Sequence, residues 1–292
     1  MTVQVSTDGT DAAESSGEVA SQGRSGRNLP AAIAVGVGLG VVVVASLLWW
    51  NPAFIGLVVL VIPLAVWELA TVLASRGIVV PLVPGLVGAV LIIIGAYVGG
   101  PGVHALATAL TIVAMVVWRL GDRAPGYLRD VAGGAFVVIY VPFLAGYSAL
   151  LLREPDGSLW VTTLFLVVVA SDLGGYIVGA LLGRHPMAPT VSPKKSWEGF
   201  GGSLVLGIGT AVAAVVFLLD AGWWIGVVLG VAGVLSATLG DLAESALKRD
   251  LNVKDMSNLL PGHGGVMDRL DSLLPSAVVT WLVLTALLPI GG

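Results

Sequence analysis

Cysteine is absent from this sequence, and charged residues are scarce. Without cysteine the chain forms no disulfide, thiolate nucleophile or zinc–thiolate site, and cysteine usage gives no clue to its compartment. Only 11% of the 292 residues are charged and 57% are hydrophobic, whereas a soluble domain has about 25% charged and about 45–50% apolar residues. This balance indicates either a very large buried core or a membrane protein.

Long uncharged runs decide between these two classes. A helix needs about 20 mostly apolar residues to cross a bilayer, and the runs 31–50 and 131–152 reach that length without a charge. Nine such segments predict an all-α, multi-spanning membrane protein. The predicted spans are about 31–50, 53–74, 80–99, 103–118, 131–152, 159–183, 202–219, 223–240 and 273–290.

The nine spans are expected to form one membrane domain over 29–292, with five spans in 31–152 and four in 159–292. Residues 1–28 are rich in Ser, Gly, Thr, Ala and acidic residues. They lack the basic start and apolar core of a signal peptide, and their composition is typical of a disordered cytoplasmic tail.

Basic residues fall almost entirely on one side of the predicted membrane. Nine crossings place thirteen Lys and Arg residues on the side of the N-terminus and only Arg153 on the other. Cytoplasmic loops carry the excess of Lys and Arg, so the N-terminal side is expected to be the cytoplasm of a multi-pass protein of the cell membrane. An error of one span would destroy this asymmetry, which therefore also supports the span count.

Two polar segments on the cytoplasmic side contain dense patterns of Lys, Asp and Gly. The first begins at Ser192 and reads SPKKSWEGFGG, and the second runs over 240–271. In the second, Asp241, Glu244, Ser245 and Lys248 share one helical face because they are spaced i, i+3, i+4 and i+7. An ordinary amphipathic helix at the membrane surface would show the same spacing.

Acidic residues inside apolar spans need a separate explanation. Asp172 lies about thirteen residues into the sixth span, where a carboxylate costs about 2.5–3.5 kcal/mol, and this favours a functional polar cavity. Glu68 in the second span fits a structural ion pair and a cavity wall equally well. Asp268 and Asp271 open the ninth span, where their interaction with the helix dipole would also explain them.

Glycines serve two different purposes in these segments. Gly262, Gly264 and Gly265 surround His263 and suit a backbone that approaches a ligand closely, although a structural histidine at a turn is the alternative. Gly175, Gly179 and Gly183 recur every four residues, and this spacing predicts a small-residue face for close helix packing.

Carboxylates and cations together indicate the kind of chemistry. Carboxylates without His or Cys partners suit hard cations such as Mg²⁺, and Lys and Arg suit phosphate oxygens. A site with both at the bilayer edge favours phosphoryl or nucleotidyl transfer to a lipid. The carboxylates are Asp172, Asp241 and Asp268, and the cations are Lys194, Lys195, Lys248, Arg249, Lys254 and Arg269.

The second segment resembles the signature of the phosphatidate cytidylyltransferase (CDP-diacylglycerol synthase) family. The family pattern of Ser-x-Leu-Lys-Arg, Lys-Asp, Pro-x-His-Gly-Gly and Asp-Arg-x-Asp matches Ser245 to Asp271 without a mismatch over 27 residues. Upstream, the sequence is similar to the family's Asp-x-Gly-Ala-Tyr and Ser-Pro-Lys-Lys-Thr-Trp-Glu-Gly, with Gly175 in place of Ala and Ser196 in place of Thr. The resemblance covers about a third of the chain, and the first five spans carry no matching motif.

This resemblance implies the transfer of CMP from CTP to phosphatidic acid, which gives CDP-diacylglycerol and pyrophosphate for phospholipid biosynthesis. It implies a Mg²⁺ site, with either two metal ions or a metal and a monovalent cation, and it is compatible with a homodimer. No nucleic acid partner is expected. The metal ligands are then expected to be Asp241, Asp268 and Asp172; the catalytic residues Lys248, Arg249, His263 and Arg269; and the phosphate-binding residues Ser192, Lys194, Lys195, Ser245, Lys254, Gly264 and Gly265.

Three rival functions make different predictions. A polyprenol or phytol kinase would transfer the γ-phosphoryl group of CTP and release CDP. A transporter would place polar residues at midplane between repeats, but no internal repeat is apparent and most polar residues lie at one face. A non-catalytic scaffold would leave the dense Lys, Asp and Gly pattern without a purpose.

Overall fold

The computed structural model describes residues 29–121, 125–257, 259 and 264–288. These residues are helical apart from connecting turns and one short β-hairpin. The helices are α1 Leu29–Trp49, α2 Asn51–Ser75, α3 Leu82–Leu120, α4 Tyr127–Val138, α5 Leu144–Arg153, α6 Gly157–Leu182, α7 Trp197–Phe217, α8 Trp223–Asp250 and α9 Leu273–Leu287; the strands are β1 Pro186–Ala188 and β2 Ser192–Ser196.

Six helical segments are long and apolar enough to cross a membrane in the described part of the chain. Five of them are α2, α3, α6, α7 and α8, and the sixth runs from α4 through a π-helix into α5. The segment Gly40–Trp49 of α1 and the whole of α9 are shorter apolar helices. The protein is therefore an all-α, multi-pass membrane protein, while the number of crossings and their orientation stay predictions.

Helix α3 is two antiparallel halves rather than one straight helix. Its 39 residues would extend about 58 Å at 1.5 Å per residue, about twice the hydrocarbon thickness of a bilayer. The helix breaks at Gly100, whose φ of 72° and ψ of −164° are non-helical. The halves then pack together, since a Cβ on Gly85 would lie 2.8 Å from Cε of Met115. The predicted break between spans 80–99 and 103–118 is confirmed.

Helices α6 and α7 pack backbone to backbone. A Cβ on Gly202 would lie 2.5 Å from the carbonyl oxygen of Gly174, and one on Gly175 would lie 2.6 Å from Oγ of Ser203. A Cβ on Gly179 would lie 3.6 Å from Cα of Gly199. The predicted small-residue face of the sixth span is confirmed, and it brings the start of α7 against the half of α6 that contains Asp172.

The first polar segment folds as an antiparallel hairpin that leads directly into α7. Strands β1 and β2 pair through Pro186 with Ser196 and through Ala188 with Ser192. Ser196 then caps α7, because its Oγ accepts a hydrogen bond of 3.1 Å from the Gly199 amide. Helix α7 therefore begins at Trp197, five residues before the predicted span, because the cap sets the helix start and the apolar pattern does not.

Candidate active site

The polar stripe on α8 forms as predicted, but it does not lie at a surface. Oγ of Ser245 donates to Oδ1 of Asp241 over 3.3 Å, and Nζ of Lys248 lies 3.0 Å from Oε1 of Glu244. Glu244 is 0% exposed, and neither of its carboxylate oxygens has a hydrogen-bond partner because the Lys248 contact does not meet hydrogen-bond geometry. An amphipathic surface helix would keep this carboxylate in water, so the stripe faces the protein interior.

Strand β2 delivers one of the predicted cations to α8. Nζ of Lys195 lies 2.6 Å from Oδ2 of Asp241, and it also donates to the carbonyl of Thr238 over 3.4 Å. Nε of Arg249 donates back to the carbonyl of Val191 over 3.4 Å. The two polar segments of the sequence therefore meet side by side, although 46 positions separate Lys195 from Asp241.

Asp268 is held by both the lysine of α8 and the loop before it. Oδ1 of Asp268 pairs with Nζ of Lys248 at 2.9 Å, and Oδ2 accepts from the amides of Met256 at 3.0 Å and Gly265 at 2.7 Å. Burial opposes ionisation of Asp268, but the hydrogen bond from the Gly265 amide and the Lys248 ammonium group outweigh it and lower the pKa of Asp268. This aspartate is therefore a firmly held, charged group.

Asp271 joins the site through close packing of α8 on the start of α9. A Cβ on Gly240 would overlap the carbonyl oxygen of Asp271 and lie 2.6 Å from Cγ of Pro275. Burial, reinforced by the negative charge of Asp241, raises the pKa of Asp271. From the sequence alone, Asp271 is explained only by its position at a helix terminus. Two features could have indicated its place in the site: the Asp-Arg-x-Asp motif, which Asp271 ends, and Gly240, which directly precedes Asp241 and permits the close packing.

Asp172 approaches the same acidic group from α6. It lies within electrostatic range of Asp271, Asp241 and Lys195, and its side chain is exposed in the isolated chain. The α6–α7 packing explains this position, because it places α6 next to the hairpin that carries Lys195. Asp172 and Asp241 thus both interact with the charge of Lys195, and their shared role as metal ligands stays a prediction.

Glu68 of α2 contacts the loop that precedes Asp268. Its carboxylate is 1% exposed and accepts hydrogen bonds from the amides of Val266 at 2.9 Å and Met267 at 2.8 Å, as well as from Oγ of Ser257. Among the described residues it forms no ion pair, and its partners are two backbone amides and a hydroxyl group. Glu68 instead brings the N-terminal half of the chain into the site.

The remaining predicted residues that the structure describes differ in their burial. Ser192 and Ser245 are half-buried, and Gly264 and Gly265 lie in the loop beside Asp268 with the Gly265 amide already bonded to it. His263 lies outside the described residues. The predicted cations with exposed side chains are Lys194, Arg249, Lys254 and Arg269.

The described residues contain no group of three or more His, Asp or Glu side chains placed to hold a metal ion. Asp172, Asp241 and Asp268 thus do not form one ligand set in this conformation, because Asp241 and Asp268 are each paired with a lysine. The donor chemistry nevertheless fits Mg²⁺, which usually binds one or two carboxylates and completes its shell with water and substrate phosphates. Asp241, with Asp271 beside it, is the carboxylate that fits best.

Comparisons with known proteins agree with this geometry. The sequence pattern of the cytidylyltransferase family matches residues 30–287. The phosphatidate cytidylyltransferases of Mycobacterium bovis and Mycobacterium leprae are each 43% identical to this chain, with 90% of both sequences covered in each case. The phosphatidate cytidylyltransferase of Brucella suis is 41% identical over 48% of this chain and 54% of its own. The chain therefore belongs to the cytidylyltransferase family and is a nucleotidyltransferase of the membrane.

Proposed function

We propose that this enzyme transfers CMP from CTP to phosphatidic acid, giving CDP-diacylglycerol and pyrophosphate for phospholipid biosynthesis. The observation that carries the proposal is the meeting of the two motif segments at the Lys195–Asp241 and Lys248–Asp268 pairs, at 2.6 and 2.9 Å. The names of relatives that match 90% of the chain support the same substrates.

The chemistry requires no strong general base. The phosphate monoester of phosphatidate is already an anion at neutral pH, so one of its oxygens can attack the α-phosphorus of CTP. A new P–O bond forms at that phosphorus, the bond to the bridging oxygen of the β-phosphate breaks, and pyrophosphate leaves with the electron pair. The main obstacle is the repulsion between a phosphate monoester and a triphosphate, which positive groups must screen.

The lysines and arginines of the site are suited to this screening. Lys195 and Lys248 lie between carboxylates, so either ammonium group can contact a phosphate while its aspartate keeps it oriented. Lys194, Arg249, Lys254 and Arg269 carry exposed side chains around this pair and can bind the outer phosphates. His263 is proposed to donate a hydrogen bond to a phosphate, and Ser192, Ser245 and the Gly264–Gly265 backbone are proposed to complete the binding surface.

A divalent cation, Mg²⁺, is proposed to bind at Asp241 together with the CTP phosphates, where it would neutralise charge on the leaving pyrophosphate. Asp268 and Asp172 remain candidates for a second position. Asp241 is the first choice because, within the described part of the chain, its Oδ1 accepts a single 3.3 Å hydrogen bond, from Ser245, while Lys195 holds its Oδ2. Both oxygens of Asp268 are engaged at 3.0 Å or less.

We also propose that the site opens to the cytoplasmic side of the cell membrane. Arg76 at the end of α2 donates from Nε to the carbonyl of Leu251 over 2.8 Å, so this basic end of α2 lies at the same end of the protein as the site. Arg153 donates instead to the carbonyls of Tyr97 and Val98 beside the break in α3. Such a distribution supports the orientation expected from the excess of Lys and Arg.

Product analysis tests the reaction directly. Purified protein is mixed with phosphatidate in detergent, Mg²⁺ and CTP labelled at the α-phosphorus. Label in a CDP-lipid together with release of pyrophosphate supports the proposal. Transfer of label only from γ-labelled CTP, with release of CDP, would instead identify a lipid kinase.

A further inference from the structure

A carboxylate from the N-terminal half closes the loop that leads to Asp268. Glu68 receives one hydrogen bond from Ser257, at the start of this loop, and two from the amides of Val266 and Met267, at its end. These donors lie 189 to 199 positions away in the sequence. One buried side chain thus holds both ends of the loop at a single point.

Asp268 bridges the same two ends from the other side. Its Oδ2 accepts from Met256 at the start and from Gly265 at the end, over 3.0 and 2.7 Å. We call the place where the two ends of the loop meet, residues 256–257 and 265–267, the loop neck. It has a carboxylate on each side, with Glu68 on the α2 side and Asp268 on the α8 side. Any movement of the neck away from Glu68 changes the hydrogen bonds that orient Asp268.

Glycine at position 265 is required by this arrangement. A Cβ there would lie 2.8 and 3.0 Å from the two carboxylate oxygens of Glu68 and 3.0 Å from the Ser257 amide nitrogen. Gly264 is constrained separately, since its φ of 84° is left-handed and a Cβ would lie 2.9 Å from Oδ2 of Asp268. Each glycine of this pair therefore makes room for one of the two carboxylates.

Helix α2 contacts both ends of the segment between α8 and the 3₁₀ turn Met267–Arg269. Two turns beyond Glu68, the Arg76 guanidinium donates to the carbonyl of Leu251, the first residue after α8. A site is held most precisely when regular secondary structure supports its loops. Helix α2 has this role, although no residue of it belongs to the matched signature.

We infer that Glu68 is a positioning residue for nucleotidyl transfer, which acts by holding the loop neck so that Asp268 stays oriented toward Lys248. This inference rests on the proposed function, because it gives Asp268 a role in that reaction. Glu68 touches no reacting group. Its effect is expected in the catalytic rate constant and in the response to Mg²⁺·CTP, and the KM for phosphatidate is expected to change little.

Glu68→Gln is the informative variant. Glutamine has nearly the same shape as glutamate. In either orientation, however, its NH₂ group would face a donor of the loop neck, either the Met267 amide or the Val266 amide and the Ser257 hydroxyl, so the loop neck must shift. A misplacement of about 1 Å can cost about a hundredfold in rate. We therefore expect kcat to fall by about 30- to 100-fold and the concentration of Mg²⁺·CTP at half-saturation to rise, while the KM for phosphatidate stays within about twofold of wild type.

Asp130→Asn is the matched control. Asp130 is also a fully buried carboxylate that accepts a backbone amide, that of Val79 at 2.9 Å, and it pairs with Arg119 at 2.7 Å. Among the described residues, its hydrogen bonds and ion pairs are with Val79, Arg119 and Arg129, and none is with the loop neck. We expect this variant to lower the temperature of thermal unfolding while kcat per folded molecule stays within about twofold of wild type, since the same chemical change is made away from the site.

The experiment uses the full chain in phosphatidate-containing micelles, with thermal unfolding measured for every variant. A kcat of Glu68→Gln within twofold of wild type, or equal losses of kcat in Glu68→Gln and Asp130→Asn, would overturn the inference. If Glu68→Gln does not fold, Ser257→Ala is the second variant. It removes one donor to Glu68, together with the hydroxyl oxygen that accepts from the Leu259 amide, and should lower kcat about three- to tenfold; an unchanged kcat in that variant would also overturn the inference.

A wild-type chain that makes no CDP-lipid would refute the proposed function separately. The positioning role is then tested by the rise in unfolding temperature on adding Mg²⁺·CTP, with hydrogen exchange at the Val266 and Met267 amides measured alongside. A smaller rise and faster exchange in Glu68→Gln than in Asp130→Asn support the role. Equal values in the two variants contradict it.

Discussion

Lys195 and Asp241 form an ion pair of 2.6 Å between the hairpin and α8. The sequence predicts a phosphate-binding role for the first residue and a metal-binding role for the second. The two charges neutralise each other in the structure, and the positive charge of Lys195 also acts on the carboxylate of Asp172. The pair is the main electrostatic link between the two motif segments.

Replacing Lys195 with alanine is expected to lower kcat/KM for CTP by at least about tenfold, because a charge-assisted contact with phosphate is worth about 1.5–3 kcal/mol. The change also leaves Asp241 unpaired beside Asp271, so the protein should unfold at a lower temperature. Steady-state kinetics at varied CTP measures the first effect. An unchanged kcat/KM for CTP would exclude Lys195 from phosphate binding.

Asp268→Asn is expected to abolish turnover while membrane insertion and folding are kept. The asparagine has the shape of aspartate but no charge for Lys248. In either orientation its NH₂ group faces a donor, either the Lys248 ammonium group or the Met256 and Gly265 amides. Activity assays on protein shown to be folded by thermal unfolding measure the effect. Near-normal activity would contradict both the metal-binding proposal for Asp268 and its role as the oriented group of the site.

Gly265→Ala is expected to reduce both activity and thermal stability, because its Cβ would lie within 3.0 Å of Glu68 and of the Ser257 amide. Gly201→Ala is the matched control in α7, where an added Cβ meets nothing within 4 Å. The control should keep its unfolding temperature, since alanine favours a helix over glycine. Equal behaviour of the two variants would show that the loop neck tolerates a Cβ.

Asp271→Asn is expected to stabilise the metal-free protein at pH values above the ordinary pKa of aspartate. Burial and the charge of Asp241 raise the pKa of Asp271. The folded protein therefore binds the proton of Asp271 more tightly than the unfolded chain does. The contribution of this group to the free energy of unfolding is lost as pH rises through its folded pKa. The amide removes this penalty and can still accept from the Ser272 amide, a bond of 2.6 Å in the native protein.

Thermal unfolding of wild type and Asp271→Asn in chelator-containing buffer, at about pH 4 and about pH 8, measures this difference. The gain in unfolding temperature should be larger at the higher pH, where the native carboxyl is ionised. Lower stability of the variant at about pH 8 would show that the negative charge of Asp271 is favourable in the folded state. The activity of the same variant reports separately on whether Asp271 serves in catalysis.

The local features of this protein could be read from its sequence. Apolar runs predict most of the helices, the Gly99–Gly102 stretch predicts the break in α3, and the four-residue glycine spacing predicts the α6–α7 contact. The i, i+3, i+4, i+7 spacing predicts the face shared by Asp241 and Lys248. These predictions succeed because each depends on neighbours within a few turns, where helix geometry relates sequence spacing directly to position.

Contacts between distant segments could not be obtained in this way. The sequence identified Glu68 as an unusual charge but not its binding to the loop at Val266 and Met267, and it assigned Asp271 to a helix terminus. It also assigned Lys195 and Asp241 to separate ligands, whereas they pair with each other. Composition, spacing and motif thus determine a membrane cytidylyltransferase. Only the tertiary structure decides which charges meet, because α2 and the loop before α9 are brought together by packing across nearly 200 residues, and no local spacing encodes that distance.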